Sequence, residues 1–367
     1  MRKIHSELKI STHFLYSEIC ISNKKYYSVL NYKFMGKAIR FGIIGCSNVA
    51  KNSFLPALLK SKKANLEFLG SRSVKKGFSF SKQFHCKNFG IYEDVLTNET
   101  VDVVYISLPP SLQEQWVIRA AKAGKHVICE KSVTTSYQSA KKMVDTCKKN
   151  HVHIMEGFSF LHHPQHSIIM KYLQHNKIGN YFSLHSKFGF NLDRSSTNFR
   201  LKKELGGGIL NDVACYIIKI SNVVFQGIPN SILCNLIYDK KYNIDIQGSI
   251  YMSFENNKVA TGFFGYSNSF QSSYEIWGQK GLIGAERAFN LRTNNPAKIS
   301  LSTDNSSKTH VVSPSDQFQL MIENFCTYIS KPLFNQNYEK DLLTQAYVME
   351  HARKSASQMK LIKIKNS

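Results

Sequence analysis

Between residues 39 and 158, short apolar runs alternate with segments of helical spacing. Ile39, Phe41, Ile43 and Ile44 read as a buried strand that ends at Gly45. From Asn48 the apolar positions move to Val49, Phe54, Leu55, Leu58 and Leu59, one side of a helix. Further buried strands are expected at 66–71, 101–108, 126–129 and 153–158. Helical segments are expected at 92–96 (a single turn), 111–123 and 136–149, with Pro109-Pro110 and Gly124 as punctuation. Strands and helices in this alternation predict an α/β unit, a doubly wound parallel sheet, over residues 38–158.

Beyond 158 the rhythm changes. One helix is expected at 163–175. Strand-like runs then dominate, at 181–190, 232–238, 244–254, 259–266 and 274–278, with shorter ones to 312. Gly206-Gly207-Gly208 opens a helix to about 224, and 316–329 and 338–359 read as closing helices. Strands that follow one another directly predict a mainly antiparallel sheet, so 159–367 is expected to be an α/β domain of its own. Residues 1–37 show no sustained period, and Met35 is a candidate start just before the first strand.

With 367 residues, 43% hydrophobic and 20% charged, the composition is that of a globular protein with room for two domains. No apolar run reads as a bilayer span, and Glu7 and Glu18 argue against a transit peptide. The eight cysteines form no C-x-x-C pair, which predicts reduced thiols in a cytoplasmic protein. The net charge of +23 is accounted for by a lysine-rich composition or by attraction to a phosphorylated ligand. The lysines are spread out with no aromatic-interleaved basic block, so no nucleic-acid partner is expected.

The candidate chemistry begins at Gly45-Cys46-Ser47-Asn48-Val49-Ala50, a G-x-S-x-x-A version of the dinucleotide fingerprint. Its glycine lets backbone approach a pyrophosphate, and the following helix start offers free N–H groups. Ser47 replaces the middle glycine, and its hydroxyl is expected to fit and to bond a phosphate. The second strand ends in Ser71-Arg72 with no carboxylate to receive a ribose hydroxyl. Arg72, with Lys75 and Lys76 nearby, suits a 2′-phosphate, so NADP is expected over NAD.

Three motifs together, GIIGCSNVA at 42–50, AGKHVICEK at 123–131 and ELGGGILNDVACY at 204–216, resemble the Gfo/Idh/MocA oxidoreductases from about residue 39 onward. FLHHPQH at 160–166 and FRLKKELGGG at 199–208 are most similar to the NDP-hexose 3-ketoreductases of that family. The resemblance implies an NAD(P)-dependent sugar oxidoreductase, here a reductase of a nucleotide-linked deoxysugar. Dehydrogenation of a free sugar, inositol or dihydrodiol is the alternative, and a non-catalytic dinucleotide-sensing regulator is a third reading. A homo-oligomer, dimer or tetramer, is implied, with Ile250, Phe263 and Phe264 as candidate contact residues in the strand-rich region. No metal is implied for His162, His163 and His166, and no membrane partner.

The resemblance also distributes roles. Gly45, Cys46, Ser47, Asn48, Val49, Ser71, Arg72, Leu108, Pro109, Glu130 and Lys131 would hold the cofactor. Phe158, His162, His163, Arg200 and Asp212 would line the substrate pocket, the histidines alternatively starting a helix. Lys131, Asp212 and Tyr216 would stand beside the nicotinamide. Asp212 and Tyr216, spaced i, i+4, project from one helix face. Hydride addition to a ketone builds charge on oxygen, which needs a proton donor and a nearby cation. Tyr216 is expected to be the donor and Lys131 the ammonium that lowers its pKa. Asp212 would hold a sugar hydroxyl or orient Lys131. The chain departs from the family pattern at Ser132, where a proline usually follows the lysine and fixes its aim, and at Gln113, where a histidine is usual.

Overall fold

The computed structural model describes residues 37–194, 198–330 and 337–365. The candidate start at Met35 and Cys20 lie outside the described residues. The first sheet is built from β1 (Ile39–Ile44), β2 (Ala64–Gly70), β3 (Asn88–Gly90), β4 (Val103–Ile106), β5 (His126–Cys129) and β6 (Ile154–Glu156). All pairings are parallel, in the order β3-β2-β1-β4-β5-β6. Helices α1 (Leu55–Lys60), α2 (Val74–Gln83), α3 (Tyr92–Thr97), α4 (Pro110–Lys122) and α5 (Tyr137–Lys149) connect them. β1 and β4 are apolar nearly throughout because both their faces are covered. The strand order reverses between β1 and β4, which opens a crevice at their C-terminal ends.

The second half contains α6 (Pro164–Gln174), β7 (Tyr181–Asn191), α7 (Cys215–Phe225), β8 (Ser231–Asp239), β9 (Ile244–Ser253), β10 (Val259–Gly265) and β11 (Ser267–Gly278). β12 (Gly281–Ala285), β13 (Ala297–Thr303), β14 (Ser306–Val312), α8 (Gln317–Ser330), α9 (Tyr338–Gln358) and β15 (Ile362–Lys363) follow. Among the described residues its nine strands run β14-β13-β12-β11-β7-β10-β9-β8-β15, with only β7 and β10 paired parallel. β11 starts seven residues before the expected strand, because its exposed, polar first half (SNSFQSS) hides the apolar signal. One face of this sheet packs on α6, α7 and α9 through Ile169, Ile217 and Val348. Ile250 and Phe264 belong to that covered face, whereas Phe263 is 54% exposed on the other, so strand alternation separates the three expected contact residues.

The two closing helices tie the halves together. Met321, Ile322 and Phe325 of α8 share a core with Phe54, Leu55 and Leu58. Leu342 and Ala346 of α9 pack with Trp116, Ala140 and Met143. The stretch Lys203–Phe225 is long and apolar enough for a membrane span by composition, with mean hydropathy 1.4, contrary to the sequence reading. It is 67% buried within the molecule, and its apolar side chains serve the core. Seven cysteines are described, all buried and unbridged.

Candidate active site

Two glycine turns build the site. At Gly45 φ is +104°, and a Cβ there would stand 2.7 Å from the Ser107 carbonyl oxygen, so only glycine fits. The helix behind it opens with a π-helical turn, Ala50–Phe54. Gly208 repeats the arrangement: φ is +107°, a Cβ would collide with the Asp245 carboxylate, and a π-helical turn, Leu210–Ala214, leads into α7. Such widened turns are frequent at functional sites. Asp245, on β9, caps this second start by accepting the Leu210 N–H at 2.6 Å.

Ser47 does something other than expected. Its Oγ accepts the Ala50 N–H at 3.0 Å and lies 2.8 Å from Ser107 Oγ. Ser107 donates its own proton to the Gly45 carbonyl at 2.8 Å. The Ser107 bond to Gly45 favours Ser47 as the donor between the two hydroxyls. In this arrangement the serine locks the turn to the end of β4. Cys46 points inward, toward the Gly70 carbonyl. Asn48 is exposed beside the turn. Ser71 is buried and accepts the Ser73 N–H ahead of α2, while Arg72 is exposed. Arg72, Leu108 and Pro109 line one cleft of about 480 Å³ with Ile91, Tyr92, Trp116 and Leu205.

Just past the end of β5, Lys131 reaches the π-helical turn ahead of α7. Its Nζ donates to the Asp212 carbonyl at 2.6 Å and to Asp212 Oδ1 at 3.0 Å. Arg200 Nε donates to Asp212 Oδ2 at 2.7 Å. Tyr266 donates to the Gly208 carbonyl at 3.1 Å and to the same Oδ2 at 3.3 Å. Burial pushes the Asp212 carboxyl up, but the Arg200 and Lys131 cations outweigh it and hold the group well below the usual carboxylate range. Burial works against the Lys131 charge too, and Asp212 reverses the balance, so this ammonium stays protonated. The missing proline leaves no slack, because Ser132 donates its hydroxyl to the Asn211 carbonyl at 2.8 Å and ties the loop to α7.

Tyr216 lies under Lys131, with Nζ 4.8 Å from the ring centroid. Phe158 and Phe188 meet the ring edge-on at 5.6 and 5.1 Å. The expected lowering of its pKa does not occur. Desolvation in this aromatic cage raises it, and Lys131 offsets that only in part. Glu130 turns inward and accepts the Tyr105 hydroxyl at 2.6 Å.

The histidines are engaged elsewhere. His162 Nδ1 is 2.8 Å from Asn324 on α8. His163 caps α6 through the Gln165 N–H, the helix-start role. His166 lies between Tyr274 and the Ala288 carbonyl. Among the described residues no His, Cys, Asp and Glu group has metal-binding geometry. Tyr266 and Asp245 escaped sequence reasoning; each is a single polar residue on a strand, brought to the site only by sheet pairing.

Residues 39–158 match the family model for the oxidoreductase family with an NAD-binding Rossmann fold, and 168–284 match the GFO/IDH/MocA C-terminal domain. A dTDP-3,4-didehydro-2,6-dideoxy-alpha-D-glucose 3-reductase from Saccharopolyspora spinosa is 30% identical over 256 residues, 70% of this chain and 76% of its own length. The chain belongs to the Gfo/Idh/MocA oxidoreductase family. The crystal structure of KijD10, a 3-ketoreductase from Actinomadura kijaniata in complex with NADP and TDP-benzene, superposes with a TM-score of 0.82 at 26% identity, covering 87% of this chain and 98% of that one. A D-xylose 1-dehydrogenase (NADP(+)) from Haloferax volcanii is 27% identical over 78% of this chain and 87% of its own length. As a Gfo/Idh/MocA member the chain is an oxidoreductase, with an α/β fold made of a parallel Rossmann sheet and a mainly antiparallel second sheet.

Proposed function

We propose that this Gfo/Idh/MocA enzyme reduces a keto group on a nucleotide-linked deoxysugar with NADPH. The observation that carries the reading is Lys131 bonded twice to Asp212 and lying over Tyr216, at the strand ends beside the cleft. The residues present fit the cofactor: the Gly45 turn is a cradle that a Cβ would fill, and Arg72 opens into the cleft, whose one carboxylate, Glu93, is paired with Arg119. The Gly45 turn, Val49, Leu108 and Pro109 would hold it, and when bound it supplies the hydride.

The remaining work falls to the chain. Lys131 spends two N–H bonds on Asp212, and its third is available to the carbonyl oxygen. Tyr216, kept protonated by burial, is a proton donor to an alkoxide that is a stronger base than phenolate. Asp212 orients Lys131. Arg200, anchored by Nε, has its terminal nitrogens for substrate oxygens or phosphate. The KijD10 and S. spinosa enzymes support the nucleotide-sugar reading, and the xylose dehydrogenase is the basis of the free-sugar alternative.

A homo-oligomer is part of the same reading. Leu233, Tyr251, Phe263 and Trp277 leave an apolar outer face on β8 to β11 that a second copy would cover. A cytoplasmic location fits the free thiols.

The test is NADPH oxidation with dTDP-linked 3-keto deoxysugars against free keto sugars, and NADH in parallel. Turnover of the linked sugars with NADPH is expected, with Arg72→Asp narrowing the cofactor preference. Turnover of free sugars alone refutes the substrate class. Dinucleotide binding without any turnover points to the regulator.

A further inference from the structure

Behind Lys131 lies a buried acid that the reaction above does not use. β6 ends on Glu156, whose Oε1 accepts the Val133 N–H at 2.9 Å, two residues after Lys131. Its Oε2 is buried and has no hydrogen-bond partner among the described residues. Titratable groups of three elements are electrostatically coupled to this carboxyl. Cys129 and Lys131 come from β5 and its loop, Cys215 and Lys219 from α7, and Asp341 from α9. Lys219 is 2% exposed, lies 5.3 Å from the centroid of the Phe158 ring, and pairs with Asp341, whose carboxylate is half exposed. Glu156 feels both cations, Lys219 more strongly than Lys131. Lys131 faces the site, and Lys219 is paired with Asp341 but still acts on Glu156.

We propose that Glu156 is a positioning residue that sets, by its charge, how much of the Lys131 field reaches the substrate oxygen. Neutral, it leaves the ammonium's field to the carbonyl; ionised, it draws that field back into the protein, where low dielectric makes a nearby charge strong. Burial pushes the Glu156 carboxyl up to about 7, with Lys219 opposing, so both forms are populated at neutral pH. The ketone-reducing rate is therefore highest with Glu156 protonated and falls as pH rises through that value. The two cysteines are thiols pushed up by burial and stay neutral throughout.

The inference rests on the reading of Lys131 as the group that stabilises the oxyanion, and the test separates the two. Steady-state kcat for NADPH-dependent reduction is measured from about pH 6 to about pH 8.5. Wild type is expected to lose rate several-fold with a midpoint near 7. Glu156→Gln keeps the size and the acceptor for Val133 but no charge, so its profile should be flat across this range. Lys219→Met removes the opposing cation and should move the wild-type midpoint upward, which tests the idea even if the glutamine variant fails to fold. A Glu156→Gln profile with the wild-type midpoint, or an unmoved midpoint in Lys219→Met, overturns the proposal. Lys131→Ala distinguishes the levels: if it is inactive while those profiles stay unmoved, only the role of Glu156 is lost. If Lys131→Ala keeps wild-type rates, the reading of the site itself falls.

Discussion

Lys131 makes two hydrogen bonds to one residue, the carbonyl at 2.6 Å and the carboxylate at 3.0 Å of Asp212. Two contacts to one partner fix the ammonium in direction as well as distance. The cation is aimed by the π-helical turn that leads into α7, the helix that carries Tyr216. Arg200 and Tyr266 hold the other carboxylate oxygen, so Asp212 cannot rotate away.

That arrangement predicts the kinetics of the pair. Tyr216→Phe keeps the ring in its aromatic cage and removes the proton donor. A kcat loss of ~100- to 10,000-fold is expected, with little change in NADPH affinity. Lys131→Ala should lose at least as much, and the double variant little more, because the groups act as one unit. Near-normal turnover in Tyr216→Phe beside a dead Lys131→Ala would make Lys131 the donor.

The hydroxyl chain from Ala50 through Ser47 and Ser107 to Gly45 predicts a cofactor effect far from the chemistry. Ser107→Ala removes two neutral hydrogen bonds of about 1 kcal/mol each and unlocks the turn. NADPH Kd, read by fluorescence titration, should rise several-fold while kcat at saturation holds, and Ser107→Thr should restore it. Unchanged Kd in Ser107→Ala would show that the turn is rigid without the link.

On the second sheet, Phe263 and Trp277 stand 54% and 57% exposed on its open face. Wild type is expected to be a homo-oligomer in light scattering at micromolar concentration, and Phe263→Glu with Trp277→Glu to be monomeric with unchanged circular dichroism. A monomeric wild type refutes this assignment of the face.

Stability should decline early in acid. His163 and His166 are buried, and desolvation lowers them to about 4 and about 3. The unfolded chain protonates both near 6.5, while the folded one resists until much lower pH. Their contribution is therefore present above about 6.5 and is lost as pH falls toward those values, at about 1.4 kcal/mol per pH unit for each. Urea midpoints at pH 7 and about pH 5 should differ accordingly, and His166→Gln should shrink the difference. Identical midpoints would mean that both rings are protonated in the folded state.

Much of this molecule was legible along the chain, because its signals are local. The strand at Ile39, the turn at Gly45 and the spacing of Leu55 and Leu58 lie within twenty residues and obey backbone periodicity. Lys131, Asp212 and Tyr216 were visible as motif residues. Their mutual distances were not, since β5 and α7 meet only when two sheets pack through α9. Three readings changed for that reason. Ser47 gained a partner in Ser107, a residue sixty positions away. Tyr216 was raised by its cage rather than lowered by Lys131, because desolvation is set by which side chains surround a group. Ile250 and Phe264 went inward while Phe263 faced out, since the helices that cover one sheet face decide what alternation means. Periodicity and turn chemistry are properties of neighbours in sequence; burial, donor direction and the field at Lys131 belong to neighbours in space.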